Sequence, residues 1–139
     1  MSAKINRPPN GEPFIWETLE MLKSDAYWTL TRAGHRFIAF LAIEHMQHGG
    51  KKNGKLKAPH RQLADRICSK SHVVAAIMEA EELGFVDCHR GGRRSATTYA
   101  LTWLPLYDGT PATNRWRKYR NPELKPWPKP PKQTGATER

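Results

Sequence analysis

Pro59-His60-Arg61-Gln62-Leu63-Ala64-Asp65-Arg66-Ile67, then Cys68-Ser69, then Lys70-Ser71-His72-Val73-Val74-Ala75-Ala76-Ile77-Met78-Glu79-Ala80-Glu81-Glu82-Leu83-Gly84 is the stretch on which the fold turns. Proline suits the first position of a helix, where a missing N–H costs nothing, and Leu63, Ala64 and Ile67 then share one side. After a break at Cys68-Ser69, Val73, Ala76, Ile77 and Ala80 recur at helical spacing, which predicts a helix over about 70–83. Gly84 is its expected left-handed stop. Phe85–His89 reads as a strand, Arg90-Gly91-Gly92-Arg93-Arg94 as a hairpin tip, and Ala96–Trp103 as the returning strand, rich in β-branched and aromatic residues.

Working outward, Thr31 is a good N-cap for a helix over about 32–48. Phe37, Ile38, Phe40, Leu41, Ile43 and Met46 cover most of its circumference, as in a central buried helix. Gly49-Gly50 ends it, Lys51-Lys52-Asn53-Gly54 makes a basic turn, and Leu56 opens a short extended piece that stops at Pro59. Residues 1–13 are polar and proline-containing, a flexible lead-in. Phe14, Ile15, Trp16, Leu19 and Leu22 form a helical stripe, and a short helix capped at Ser24 or Asp25 carries Tyr27, Trp28 and Leu30. Residues 14–30 are therefore an N-terminal helical extension and 31–104 the main domain. From Pro105 periodicity is lost, so 105–139 reads as a disordered, basic, Pro-rich tail. Trp16, Trp28 and Trp103 are expected in the core. Trp116, set in Arg115-Trp116-Arg117-Lys118-Tyr119-Arg120, suits either stacking on bases or packing on the domain.

A chain of 139 residues favours one domain with tails, and 38% hydrophobic residues allow a modest core. Lys and Arg number 23 against 13 Asp and Glu, a net charge of +10. Residues 1–30 carry −1, whereas 31–104 and 114–139 carry +6 each. Such a field draws polyanions, of which nucleic acid is the commonest in a cell. An anionic membrane is the rival, but there is no basic amphipathic helix, no bilayer-length apolar run and no signal peptide. Two cysteines make no disulfide framework and fit a reducing compartment. The expected location is the cytoplasm, in association with the nucleoid.

The order of helix, short strand, helix, tight turn, helix, strand, basic hairpin and strand resembles the winged helix-turn-helix family, most closely from Asn53 to Leu101. Asn53-Gly54-Lys55-Leu56-Lys57-Ala58-Pro59 resembles the strand that opens the motif, and Arg61-Gln62-Leu63-Ala64-Asp65 its first helix. Ser69-Lys70-Ser71-His72-Val73 resembles the start of the recognition helix, and Glu82-Leu83-Gly84-Phe85-Val86 the exit into the wing. The whole is also similar to small helix-turn-helix proteins of bacterial mobile elements and phages. Ala58 departs from the usual Ser or Thr cap, and Cys68 from the usual aliphatic turn residue. The resemblance implies a mainly α (α+β) domain that binds double-stranded DNA sequence-specifically, as a bacterial transcriptional regulator. Alternatives are a replication or recombination accessory factor of a plasmid, phage or integrative element, and a protein-interaction or RNA-binding module. A homodimer is open.

Side chains near the N-terminus of a helix lying in the major groove reach base edges. Ser69, Lys70, Ser71, His72 and Ala75 are the outward residues at that end, offering hydroxyl donors, a cation and a methyl for thymine. Arg90, Arg93 and Arg94 on the hairpin suit phosphates or a minor groove, and Arg61 suits phosphate contact. Cys68 and His72, or Cys88 and His89, lack zinc-site spacing; the cysteines read as small apolar residues. His45 and His48 close a helix, where a cation favours the dipole. Glu79, Glu81 and Glu82 read as a solvated face. With no Ser/His/Asp order, nucleophile elbow, phosphate-binding Gly loop or paired carboxylates, no enzymatic activity, cofactor or metal is expected.

Overall fold

A computed structural model describes residues 8–67, 69–92 and 95–131 of the chain. Within these lie five α-helices and two strands: α1 (Leu19–Lys23), α2 (Asp25–Thr29), α3 (Arg32–Gln47), α4 (His60–Ile67), α5 (Lys70–Leu83), β1 (Val86–His89) and β2 (Thr98–Leu101). The fold is thus mixed α and β. Short 3-10 turns occur at Pro9–Gly11 and Arg115–Lys118.

Three hydroxyl caps set the N-terminal architecture. Thr18 accepts from the Met21 amide at 3.2 Å, Ser24 from Tyr27 at 3.1 Å and Thr31 from Gly34 at 3.2 Å. The expected helical stripe from Phe14 therefore does not form. Helix begins only where Thr18 caps it and stops at Ser24, leaving two single-turn helices. Phe14, Trp16 and Leu19 are exposed, and Trp28 is too, at 57%. Of the three tryptophans expected in the core only Trp103 is there, its indole N–H donating to the Trp16 carbonyl at 2.9 Å.

Helix α3 packs on α5 and α4. It buries Phe37, Ile38, Leu41 and Ala42, but Ile43 is half exposed, so α3 is not wrapped on all sides. Leu63 and Ile67 of α4, Val73, Ala76, Ile77, Ala80 and Leu83 of α5, and Phe85, Val86, Tyr99 and Leu101 complete the core. Burying each large aliphatic side chain contributes about 1.5–3 kcal/mol. Helix α5 has the predicted limits and ends at Gly84, whose φ of +94° is left-handed. Strands β1 and β2 pair antiparallel with Val86 opposite Leu101 and His89 opposite Thr98. They are shorter than expected; beyond their last pair Thr102 still donates its amide to the Phe85 carbonyl at 3.0 Å and its hydroxyl to the Gly84 carbonyl at 2.6 Å. Leu56 bridges the outer edge of β2, exchanging bonds of 3.2 and 2.9 Å with Tyr99.

The segment from Pro105 differs most from expectation. Trp116 is buried and stacks on Phe85, with ring centroids 6.4 Å apart and planes 16° from parallel. Arg115 ion-pairs with Asp87 and donates to the Val86 carbonyl at 2.9 Å. Further on, Arg117 pairs with Glu20 at 3.0 Å, and Asn121 bonds Asp25 at 2.9 Å and Thr29 at 3.0 Å. Trp127 donates to the Lys23 carbonyl at 2.7 Å and sets its ring edge-on to Trp28, 5.6 Å away. Residues 114–127 are therefore a strap across α1 and α2 rather than a disordered tail. Its anchors are isolated aromatics, guanidiniums and amides fitted to helix ends, which have no sequence period. Of the two options open for Trp116, packing on the domain is the one observed. Lys132 and Arg139 lie outside the described residues.

Candidate nucleic-acid interface

The surface that carries the predicted contacts is built by the first turns of α4 and α5. Ser69 occupies the N-cap position of α5 with extended backbone but makes no side-chain bond to the helix amides. Its hydroxyl instead meets the Ser71 hydroxyl, at 3.1 Å, and His72 Nδ1. Lys70, Ser71, His72 and Ala75 are exposed, while Val73, Ala76 and Ile77 face the core. Helical periodicity thus sorts this turn into an exposed face and a packing face.

Arg61, second residue of α4, is exposed and lines a cleft of about 280 Å³ with His60, Lys70 and Val73. The structure thereby brings Arg61 and Lys70 together. On the opposite flank a groove of about 600 Å³ separates the start of α3 from α5, lined by Arg32, Arg36, His72, Ala75 and Glu79 among others. Arg32 and Arg36 were missed by the sequence reading. They stand four apart on one helix, a detectable spacing, but α3 reads as a central buried helix, apolar on most of its circumference.

Charge is polarised along α5. From Lys70 to Met78 there is no carboxylate, and Glu79, Glu81 and Glu82 crowd the last turns. Two of these acids are engaged rather than merely solvated. Glu79 accepts from the Thr31 amide at 3.2 Å and its hydroxyl at 2.8 Å, tying α5 to the cap of α3. Gly34 permits this, since a Cβ there would stand 2.0 Å from Glu79 Oε1. Glu81 accepts from Arg90 at 3.1 Å, and that bond holds its carboxyl below the usual range.

Arg90 is therefore turned back toward α5, not projected from the hairpin tip. Arg93 and Arg94 lie outside the described residues, as does Cys68. Burial, reinforced by Glu81, pushes the Cys88 thiol up to about 11. Such a thiol is a poor nucleophile at neutral pH. His45 is buried, and burial pushes its pKa down, which disfavours the cationic form expected at the helix end; among the described residues its Nδ1 has no hydrogen-bond partner. His48 does lie near a carboxylate, 3.5 Å from Glu44.

Among the described residues no group of three or more His, Cys, Asp or Glu side chains is placed to hold a metal ion. None of their helices is long and apolar enough to cross a membrane. No family model, curated protein or solved structure matches the chain.

Proposed function

We propose that residues 31–104 form a winged helix-turn-helix domain that binds double-stranded DNA sequence-specifically, and that the chain acts as a bacterial transcriptional regulator. The observation that carries this reading is the first half of α5. It is an exposed helical face free of carboxylates, flanked by Arg61 and Lys70 on one side and Arg32 and Arg36 on the other. Laid in the major groove, Ser71 and His72 meet base edges and the Ala75 methyl meets a thymine methyl. The flanking Arg61, Lys70 and Arg32 hold phosphates, as would Arg93 and Arg94, whereas Arg90 is engaged by Glu81. The order α4, α5, β1, β2, with Leu56 as a third strand segment, supports the winged-helix assignment.

The test is selection from randomised duplexes, followed by anisotropy titration of the enriched and an unrelated duplex. Ser71→Ala and His72→Ala should each cost about 1–3 kcal/mol on the enriched duplex and little on the other, whereas Arg61→Ala should weaken both alike. Failure to enrich any sequence, or equal competition by RNA, whose deep major groove excludes a helix, would overturn the reading.

A further inference from the structure

Outside the α4–α5 surface, the loop before α4 carries Lys51, Lys52, Lys55 and Lys57 within seven positions with no acid among them. We propose that this loop is a second, preformed phosphate-binding surface, gripping the backbone of a DNA duplex beyond the groove that α5 enters. The inference rests on the duplex-binding reading and extends its footprint.

The loop is built rigidly from beneath. Asn53 is completely buried. Its amide nitrogen donates to the carbonyls of Leu101, Leu104 and Pro105 at 3.0, 3.2 and 3.0 Å, and its oxygen accepts from the Leu101 amide at 2.7 Å. The Tyr107 amide donates to the Asn53 carbonyl at 2.8 Å, and the Gly54 and Leu56 amides both reach the Tyr99 carbonyl at 3.2 Å. Burying a primary amide is costly unless its hydrogen bonds are made, and here they are. The backbone that carries the lysines is therefore fixed before any ligand arrives, which removes an ordering cost from binding.

The charges on that frame are available. Among the described residues none of the four lysines lies within ion-pair distance of a carboxylate. Lys55 is steered by Tyr107, its ammonium 4.4 Å from the ring centroid. Lys55 and Lys57 line an open cleft of about 660 Å³ with His89 and Tyr107, and the one acid there, Asp87, is taken up by Arg115. Lys57 lies three residues before the start of α4 at His60, so the loop leads in the chain directly to the helix that carries Arg61. Lysines that serve solubility alone need no anchored loop.

The test uses the full chain carrying Lys51→Ala, Lys52→Ala and Lys57→Ala together, leaving Lys55 on Tyr107. Affinity is measured on the enriched and an unrelated duplex from about 0.05 to 0.3 M salt, beside the thermal melt. For every phosphate no longer held, the log–log salt slope should flatten by about 0.9, or about tenfold in affinity at 0.1 M salt. The weakening should be equal on both duplexes, with the melt unchanged. An unchanged slope and affinity would overturn the inference, as would a weakening confined to the enriched duplex, which would make the loop a base reader. If the unsubstituted protein itself shows no salt-dependent duplex binding, the functional reading falls first and this inference with it.

Discussion

Replacing Gly84 by alanine tests whether the C-terminal strap is seated on the body of the protein. The glycine has φ +94° and ψ 8°, and a Cβ there would stand 2.7 Å from the Arg115 carbonyl carbon and the Trp116 nitrogen. The left-handed conformation alone costs an L-residue about 1–2 kcal/mol. Because the opposing atoms are backbone, they cannot rotate aside, and shifting them adds about 1–3 kcal/mol as in an overpacked core. The Arg115–Lys118 turn would lift with Trp116, whose removal to alanine should cost about 3–5 kcal/mol by itself. A total near 3 kcal/mol is expected for Gly84→Ala, or about 10 °C in melting temperature for a domain of this size. Urea denaturation of Gly84→Ala, Trp116→Ala and the double variant supplies the measurement. Once the turn has been lifted, removing the indole should add little, so the cycle should show at least about 1 kcal/mol of coupling. A cost of about 1 kcal/mol with full additivity would refute the reasoning, since it would leave only the left-handed backbone and no neighbour.

Two further outcomes follow from the same architecture. Burial lowers the pKa of His45, so the unfolded chain takes up that proton more readily. Stability should hold above about pH 7 and decline as pH falls through the unfolded value of about 6.5. His45→Leu should remove that decline in denaturation at several pH values, and its persistence would point to another group. Ending the chain after Arg120 deletes the Asn121 and Trp127 bonds and should cost about 1–2 kcal/mol, consistent with a few net hydrogen bonds. Ending it after Thr113 also removes Trp116 and should cost several times more; equal melts for the two truncations would show that the indole contributes nothing.

What could be read in advance was what is local. The limits of α5 and its glycine stop follow from spacing and cap chemistry within fifteen positions, and the caps at Ser24 and Thr31 are single-residue signals. The Ser69–Ala75 face followed too, because once a helix is placed its buried residues dictate which others point out. Three features were not legible for a shared reason: each joins a side chain to a distant main-chain group. Asn53 looked like a turn residue until the carbonyls of Leu101, Leu104 and Pro105 closed around it. Glu79 looked solvated until the Thr31 amide was found beside it. Trp127 looked like part of a proline-rich tail until Lys23 supplied an acceptor. Tertiary hydrogen bonds of this kind leave no period, and proline-rich composition argued against any packing.

The strap also sets a constraint in time. Its bonds join residues that a ribosome makes far apart: Glu20 to Arg117, Asp25 to Asn121, and Lys23 to Trp127, separations of 97, 96 and 104 residues. Closing a flexible loop of about a hundred residues costs about 4 kcal/mol in chain entropy beyond a constant, so these bonds cannot lead folding and must follow the core of α3, α4 and α5. With α1 and α2 each only five residues long, far below the length at which an isolated helix persists in water, the part of this region synthesised first is among the last to become structured. At about 5–20 residues per second, several seconds pass in which Met21 and Ala26 have been made but lack the partners that complete their surroundings. That interval exposes the N-terminal region to proteases and chaperones, and shortening the strap would raise the fraction of time it stays open even after synthesis ends.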